Sequence, residues 1–100
     1  MLDKDQARKF ASELKSYMDR YELSANHMAR RSGVDAVMIG AYTHGAVIPS
    51  DSEACALLMA TGMAPSEIDE KLGFAPGTAH DVTVDRWAVD KMKAMKVRMR

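Results

Sequence analysis

Apolar residues recur at spacings of three and four along most of this chain, a period that predicts helices rather than strands. The first such stripe predicts a helix from about Lys4 to Tyr21, with Asp3 as its N-cap. Its expected inward positions are Ala7, Phe10, Ala11, Leu14, Met18 and Tyr21. The sequence contains no internal repeat. The helical spacing along the chain predicts the all-α class.

Two short helices follow, separated by a glycine-containing turn. Ser24 is expected to cap the second helix, and Gly33 to end it in the left-handed conformation. Asp35 then caps a third helix, which Gly45 terminates. The expected inward positions are Met28 and Ala29 in the second helix and Met38, Ile39 and Tyr42 in the third.

A fourth helix is expected to open at Pro49 and Ser50 and to end at Gly62. Ser50 and Glu53 have the spacing of a capping box, in which each side chain satisfies the other residue's backbone N–H. The expected core positions are Ala54, Leu57 and Leu58.

A fifth helix opens at Pro65 and ends near Leu72, where the expected core is complete. We therefore predict one domain over residues 1–73 and a separate C-terminal part over residues 74–100. The run FAPGTAH, residues 74–80, predicts a linker or an irregular surface loop, and the following DVTV a short extended stretch.

Asp85 is expected to cap a last, amphipathic helix. Its apolar residues are Trp87, Ala88, Met92, Met95 and Met99. Because five helices already close the core, we expect a second copy of the chain to cover these residues in a homodimer. Folding of this helix back onto its own domain is the alternative.

Fourteen basic and fourteen acidic residues cancel over the whole chain, but not locally. Lys71 is the one basic residue between Arg31 and Arg86, whereas six Lys and Arg follow residue 85. Basic ends thus flank an acidic middle. This distribution fits either phosphate contacts at the ends or ordinary solvated helix faces.

No residue pattern points to catalysis, a cofactor or a metal. Cys55 stands between alanines and is expected to be buried, while His27, His44 and His80 form no ligand pair. A Cys55 nucleophile with His27 or His44 as its base is the less fitting alternative. The apolar runs are far shorter than the roughly 20 residues that cross a bilayer, so we expect a cytoplasmic protein without membrane contact.

The segment LSANHMARRSGVDAVMIGAYTHGAVIPS, residues 23–50, resembles the XRE-type helix-turn-helix family of phage repressors, Cro proteins and bacterial regulators. The matching residues are Leu23, Ser24, Met28, Ala29, Gly33, Val34, Ile39, Gly45 and Pro49. With LLMATGMAPSEI downstream, the resemblance covers residues 14–68. It implies a five-helix lambda-repressor-like domain with an additional C-terminal helix, and a small transcription regulator that binds double-stranded operator DNA as a homodimer.

The resemblance also implies that the third helix faces the bases, and that the start of the second helix and nearby cations hold phosphates. The candidate DNA-binding residues are Ser24, Ala25, Arg30, Arg31, Asp35, Ala36, Val37, Met38, Gly40, Ala41 and His44. The side chains of Ala36, Val37, Gly40 and Ala41 form no hydrogen bonds, so direct readout is restricted to thymine methyl groups.

A second interpretation stays open, because these apolar positions would suit protein contact as well as DNA. The apolar patch consists of Ala36, Val37, Ala41, Val47 and Ile48. In this interpretation the scaffold binds another protein, as an anti-repressor, an antitoxin or a phage antagonist of a host factor would. Arg30 and Arg31 would then belong to an ordinary solvated face.

Overall fold

The computed structural model describes residues 2–83, and within them every regular element is helical. Five helices follow one another along the chain: α1 (Lys4–Arg20), α2 (Ala25–Ser32), α3 (Ala36–Thr43), α4 (Asp51–Ala60) and α5 (Pro65–Leu72). A further helical stretch begins at residue 78 and continues to residue 83, where the description ends. The predicted all-α class is confirmed for this part of the chain.

Side-chain caps decide where these helices begin. At α1, Asp3 Oδ1 accepts the backbone N–H of Gln6 at 2.8 Å and Gln6 Oε1 accepts that of Asp3 at 3.0 Å, a complete capping box. At α4, Ser50 Oγ accepts the N–H of Glu53 at 3.1 Å. The predicted capping box at α4 is only half formed, because the Glu53 carboxylate accepts the hydroxyl of Tyr42 instead.

The core lies between all five helices. Its largest fully buried side chains are Phe10, Leu14, Met28, Ile39, Leu57, Leu58, Ile68 and Leu72. The rings of Phe10 and Tyr42 meet edge to face, with centroids 6.3 Å apart, and this contact joins α1 to α3. The expectation that Tyr21 faces inward is wrong, because α1 ends at Arg20 and the side chain of Tyr21 is 56% exposed.

A hydrogen bond between Tyr42 and Glu53 links α3 to α4. The Tyr42 hydroxyl donates to Glu53 Oε2 at 2.5 Å. Burial, together with this hydrogen bond and the charge of Glu53, raises the pKa of Tyr42 to about 12. The hydroxyl therefore remains a donor across the physiological pH range, and the link between the two helices persists.

Residues 74–83 differ from the predicted linker and extended stretch. Ala79 is fully buried, Phe74 packs against the core, and the chain is helical from residue 78. The carboxylate of Asp69, only 7% exposed, accepts the N–H of Gly77 at 2.9 Å and of Ala79 at 2.8 Å. This segment is therefore anchored to α5, because a carboxylate satisfies the free N–H groups at the start of the next helix.

We expect Asp69→Ala to lower the free energy of unfolding by about 2 to 3 kcal/mol, since two N–H groups would lose a charged acceptor. The matched control is Glu70→Ala on the exposed side of the same helix, which should change the unfolding free energy by less than about 0.5 kcal/mol. Urea unfolding followed by circular dichroism measures both. Equal losses in the two variants would contradict the anchoring role of Asp69.

Candidate nucleic-acid interface

Helices α2 and α3 are joined by a turn that backbone geometry and caps define closely. The α2 helix starts where Ser24 Oγ accepts the N–H of His27 at 3.1 Å, and it ends at Gly33 with φ of +77°. Only glycine adopts this left-handed conformation without strain. Asp35 Oδ1 then accepts the N–H of Val37 at 2.8 Å and starts α3. The predicted caps of both helices are confirmed.

Hydrogen bonds of Ser32 and the burial of Val34 also stabilise this turn. Ser32 Oγ donates to the carbonyl of Met28 at 2.7 Å and accepts the N–H of Val34 at 3.2 Å. Val34 is buried in the core. A hydrogen-bonded serine and a buried valine thus set the direction in which α3 leaves the turn.

The inner side of α3 is taken up by the core, and its outer side is apolar. Ile39 and Tyr42 are buried, whereas Val37 is 79% exposed. Ala36, Gly40 and Ala41 are half-buried. Space is open around Gly40, where an added Cβ would meet no atom within 4 Å. At positions 36, 37, 40 and 41, the exposed surface of α3 therefore has only small apolar groups, and no side chain there donates or accepts a hydrogen bond.

Three other candidate residues on α3 have structural roles. Asp35 caps the helix, and Met38 is half-buried against the core. His44 Nδ1 lies 2.7 Å from the carbonyl oxygen of Gly40, so Nδ1 carries the proton and donates it. Nε2 is the ring nitrogen that remains for another partner.

The candidates on α2 are dispersed rather than gathered beside α3. Ser24 is used as a cap and Ala25 packs against the core. Arg31 Nη1 donates to the hydroxyl of Tyr17 at 3.1 Å, which directs it towards α1. Arg30 is exposed, and within residues 2–83 its side chain forms no hydrogen bond or ion pair.

Beside Arg31, the C-terminal end of α1 carries an aromatic pair. The rings of Tyr17 and Tyr21 lie 4.9 Å apart, and the Arg20 guanidinium lies 5.9 Å from the Tyr21 ring centroid. The groove next to this pair, about 330 Å³ in volume, is also lined by Glu13 and Glu67. Its lining therefore contains one cation, Arg20, and two carboxylates.

A second groove runs between the N-terminal half of α1 and the end of α3, and we name it the α1–α3 groove. Its volume is about 440 Å³. It is lined by Lys4, Ala7, Arg8, Ala11, Tyr42, Thr43, His44, Gly45, Val47 and Ile48. None of these ten residues is acidic.

Sequence analysis missed Lys4 and Arg8 as neighbours of α3, although their spacing contained a signal. Positions 4, 7, 8 and 11 share one helix face, and two of them are alanines on the inward stripe. The element that packs beside this face lies more than thirty residues away in sequence, so only the folded chain brings the two together.

The net charge of the described residues disfavours binding of a nucleic acid. Residues 2–83 carry eight Lys and Arg against twelve Asp and Glu, a net charge of −4. The same count gives residues 84–100 a net charge of +4. Phosphate contacts on the helical part must therefore be local, because its overall field repels an anion.

Cys55 is not in a setting that activates a thiol. It is fully buried, and burial, with the charges of Asp51 and Asp69, raises its pKa to about 11. His27 and His44 are both exposed. Among residues 2–83, no group of three His, Cys, Asp or Glu side chains is placed to hold a metal ion.

The predicted dimerisation residues, Trp87, Ala88, Met92, Met95 and Met99, and the Asp85 cap lie outside the described residues. Over residues 2–83, no helix is both long enough and apolar enough to span a membrane. Comparison of the chain with protein-family models, curated proteins and solved structures found no match.

Asp35→Ala should lower the free energy of unfolding by about 1 kcal/mol, the usual effect of removing an N-cap. Asp35→Asn should leave it nearly unchanged, because the amide oxygen accepts the same N–H. Urea unfolding of the two variants separates the cap from the charge. A loss that is equal in both would show that the carboxylate charge, not the capping hydrogen bond, is what matters.

Cys55 in the native protein should react with an aromatic disulfide reagent at least about a hundredfold more slowly than in urea, because a pKa raised from 9.0 to about 11 removes most of the thiolate. Absorbance of the released thiol follows the reaction, and Cys55→Ser supplies the blank. Rapid reaction of the folded protein would contradict the burial of this thiol.

Proposed function

We propose that this chain is a small DNA-binding transcription regulator with a lambda-repressor-like helix-turn-helix domain, as its resemblance to the XRE-type family implies. One observation supports this most directly. The α3 helix is capped, buried on one side by Ile39 and Tyr42, and exposed on the other at Val37. A short helix presented in this way after a tight turn is the arrangement that enters the major groove.

In this proposal the bases are contacted through methyl groups. Val37 and Ala41 would meet the C5-methyl groups of thymine, and the open space at Gly40 would allow the helix backbone to approach the groove floor. Such contacts discriminate less between bases than bidentate hydrogen bonds do. We therefore expect a modest preference for thymine-rich sites rather than a sharply defined operator.

Phosphates would be held around this helix. The first-turn N–H groups of α2, near Ser24 and Ala25, point away from their helix and suit an anion, and Arg30 is free of protein partners within residues 2–83. A homodimer through residues 84–100 would place two such helices on successive half-sites. A regulator of this kind acts in the cytoplasm, where operator DNA is found.

A second candidate function is binding of another protein through the exposed side of α3. Two observations favour it. The net charge of residues 2–83 is −4, and two apolar side chains are exposed on α3 and the loop after it, Val37 at 79% and Val47 at 43%. Apolar surface of this kind without base-reading side chains is common at protein interfaces.

Val37→Glu tests the proposal, because Val37 adds little to the core but would lie at the centre of either interface. We expect the affinity for mixed-sequence double-stranded DNA to fall about tenfold or more, which corresponds to about 1.4 kcal/mol. The deficit should shrink as salt is added, since repulsion between a carboxylate and phosphates is screened. Fluorescence anisotropy over a salt series measures this effect.

The matched control is Ala75→Glu, which adds the same charge at an exposed position away from α3 and should have little effect. Wild-type protein that shows no salt-dependent affinity for DNA would overturn the regulator proposal. The protein-binding candidate instead requires that Val37→Glu abolish a protein complex at all salt concentrations, because burying a carboxylate is costly whatever the ionic strength.

A further inference from the structure

The α1–α3 groove differs in charge from the grooves beside Arg20 and Lys9. Its cations, Lys4 and Arg8, face no carboxylate among the residues that line it. The groove beside Arg20 contains Glu13 and Glu67. The groove beside Lys9, which Arg8 also lines, contains Glu13, and there the cation Lys71 is paired with Glu13 at 3.2 Å.

The nearest opposing charge to Arg8 is a weak one. Asp5 Oδ1 lies 4.0 Å from Arg8 Nη1, and both side chains are more than 80% exposed. An exposed pair at that distance adds almost nothing to stability and is easily exchanged for another partner. Asp3 is occupied by the backbone of Gln6. The guanidinium of Arg8 is therefore available to a bound anion.

The opposite wall of the groove is the end of α3 and the loop that follows it. This loop contributes Val47 and Ile48 to the lining, and the loop itself has no Lys or Arg. Ala7, Ala11 and Ile48 form an apolar surface along which the stems of Lys4 and Arg8 can lie. Lys4 and Arg8 thus line the groove opposite the end of α3, where the loop supplies no cation of its own.

We infer that Lys4 and Arg8, across the α1–α3 groove from the end of α3, form the phosphate-binding site that holds a double-stranded DNA backbone against this face. The inference rests on the proposed function and adds to it the residues that position the DNA. Charge complementarity carries the choice of partner, because a groove lined by two cations and no carboxylate attracts an anion locally, although residues 2–83 have a net charge of −4.

The charge of the groove matches a phosphate better than it matches the basic segment 84–100, whose net charge is +4. Phosphates held beside α3 would place the apolar residues of α3 against the bases. The DNA would be positioned by α1 and contacted by α3, a division of labour between phosphate and base contacts.

The test compares three double variants of the full chain, each with two charges removed: Lys4→Gln with Arg8→Gln, Lys9→Gln with Lys15→Gln, and Arg30→Gln with Arg31→Gln. The first two remove the same charge from exposed positions of the same helix. Thermal melting checks that each variant is folded. Affinity for a mixed-sequence DNA duplex is then measured over a potassium chloride series by fluorescence anisotropy.

We expect the Lys4 and Arg8 variant to lose about tenfold or more in affinity at low salt, and the slope of log affinity against log salt to fall by about 1 to 2. The Lys9 and Lys15 variant should lose less than about twofold, because it alters net charge without touching the groove.

Equal losses in the two α1 variants would overturn the inference, since net charge alone would then explain them. A loss confined to the Arg30 and Arg31 variant would also overturn it and would place the phosphates at α2, with the regulator proposal intact. Wild-type protein without salt-dependent affinity for the duplex would overturn both, and would favour a protein partner for the groove.

Discussion

Burial of the inner side of α3 is the constraint on which the rest of this structure depends. An isolated helix of eight residues is not stable in water, so α3 exists because Ile39 and Tyr42 are buried between its neighbours. The edge-to-face contact with Phe10 and the hydrogen bond to Glu53 hold Tyr42 from two sides. Once these contacts are made, the direction of Val37 follows, and with it the surface available to a partner.

As a consequence, the exposed side of α3 can contact a partner through its apolar shape but not through side-chain hydrogen bonds. The outer side of α3 has no polar side chain at its central positions, and the charge needed for an anionic partner lies on a different helix. If Lys4 and Arg8 hold the DNA phosphates and α3 contacts the bases, affinity for DNA and specificity for its sequence come from different residues. Affinity of that origin depends strongly on salt, whereas apolar discrimination between bases does not.

Most helix boundaries were predictable because they are decided by local chemistry. Asp3, Ser24 and Asp35 each accept an N–H two or three residues ahead, and Gly33 ends its helix in a conformation that other residues avoid. The prediction for Glu53 was only half right, because a tertiary contact with Tyr42 competed for its carboxylate. Tyr21 was misplaced because α1 ends one residue before it.

The sequence by itself determined the all-helical class, the five helix positions and the apolar character of α3, since all three follow from residue spacing and short-range hydrogen bonds. Only the tertiary structure decided that residues 74–83 pack on the domain, through the carboxylate of Asp69, and that Lys4 and Arg8 lie beside α3. The reason is distance along the chain. A cap acts on the next turn, whereas a groove between α1 and α3 forms only when packing brings residues separated by more than thirty positions together.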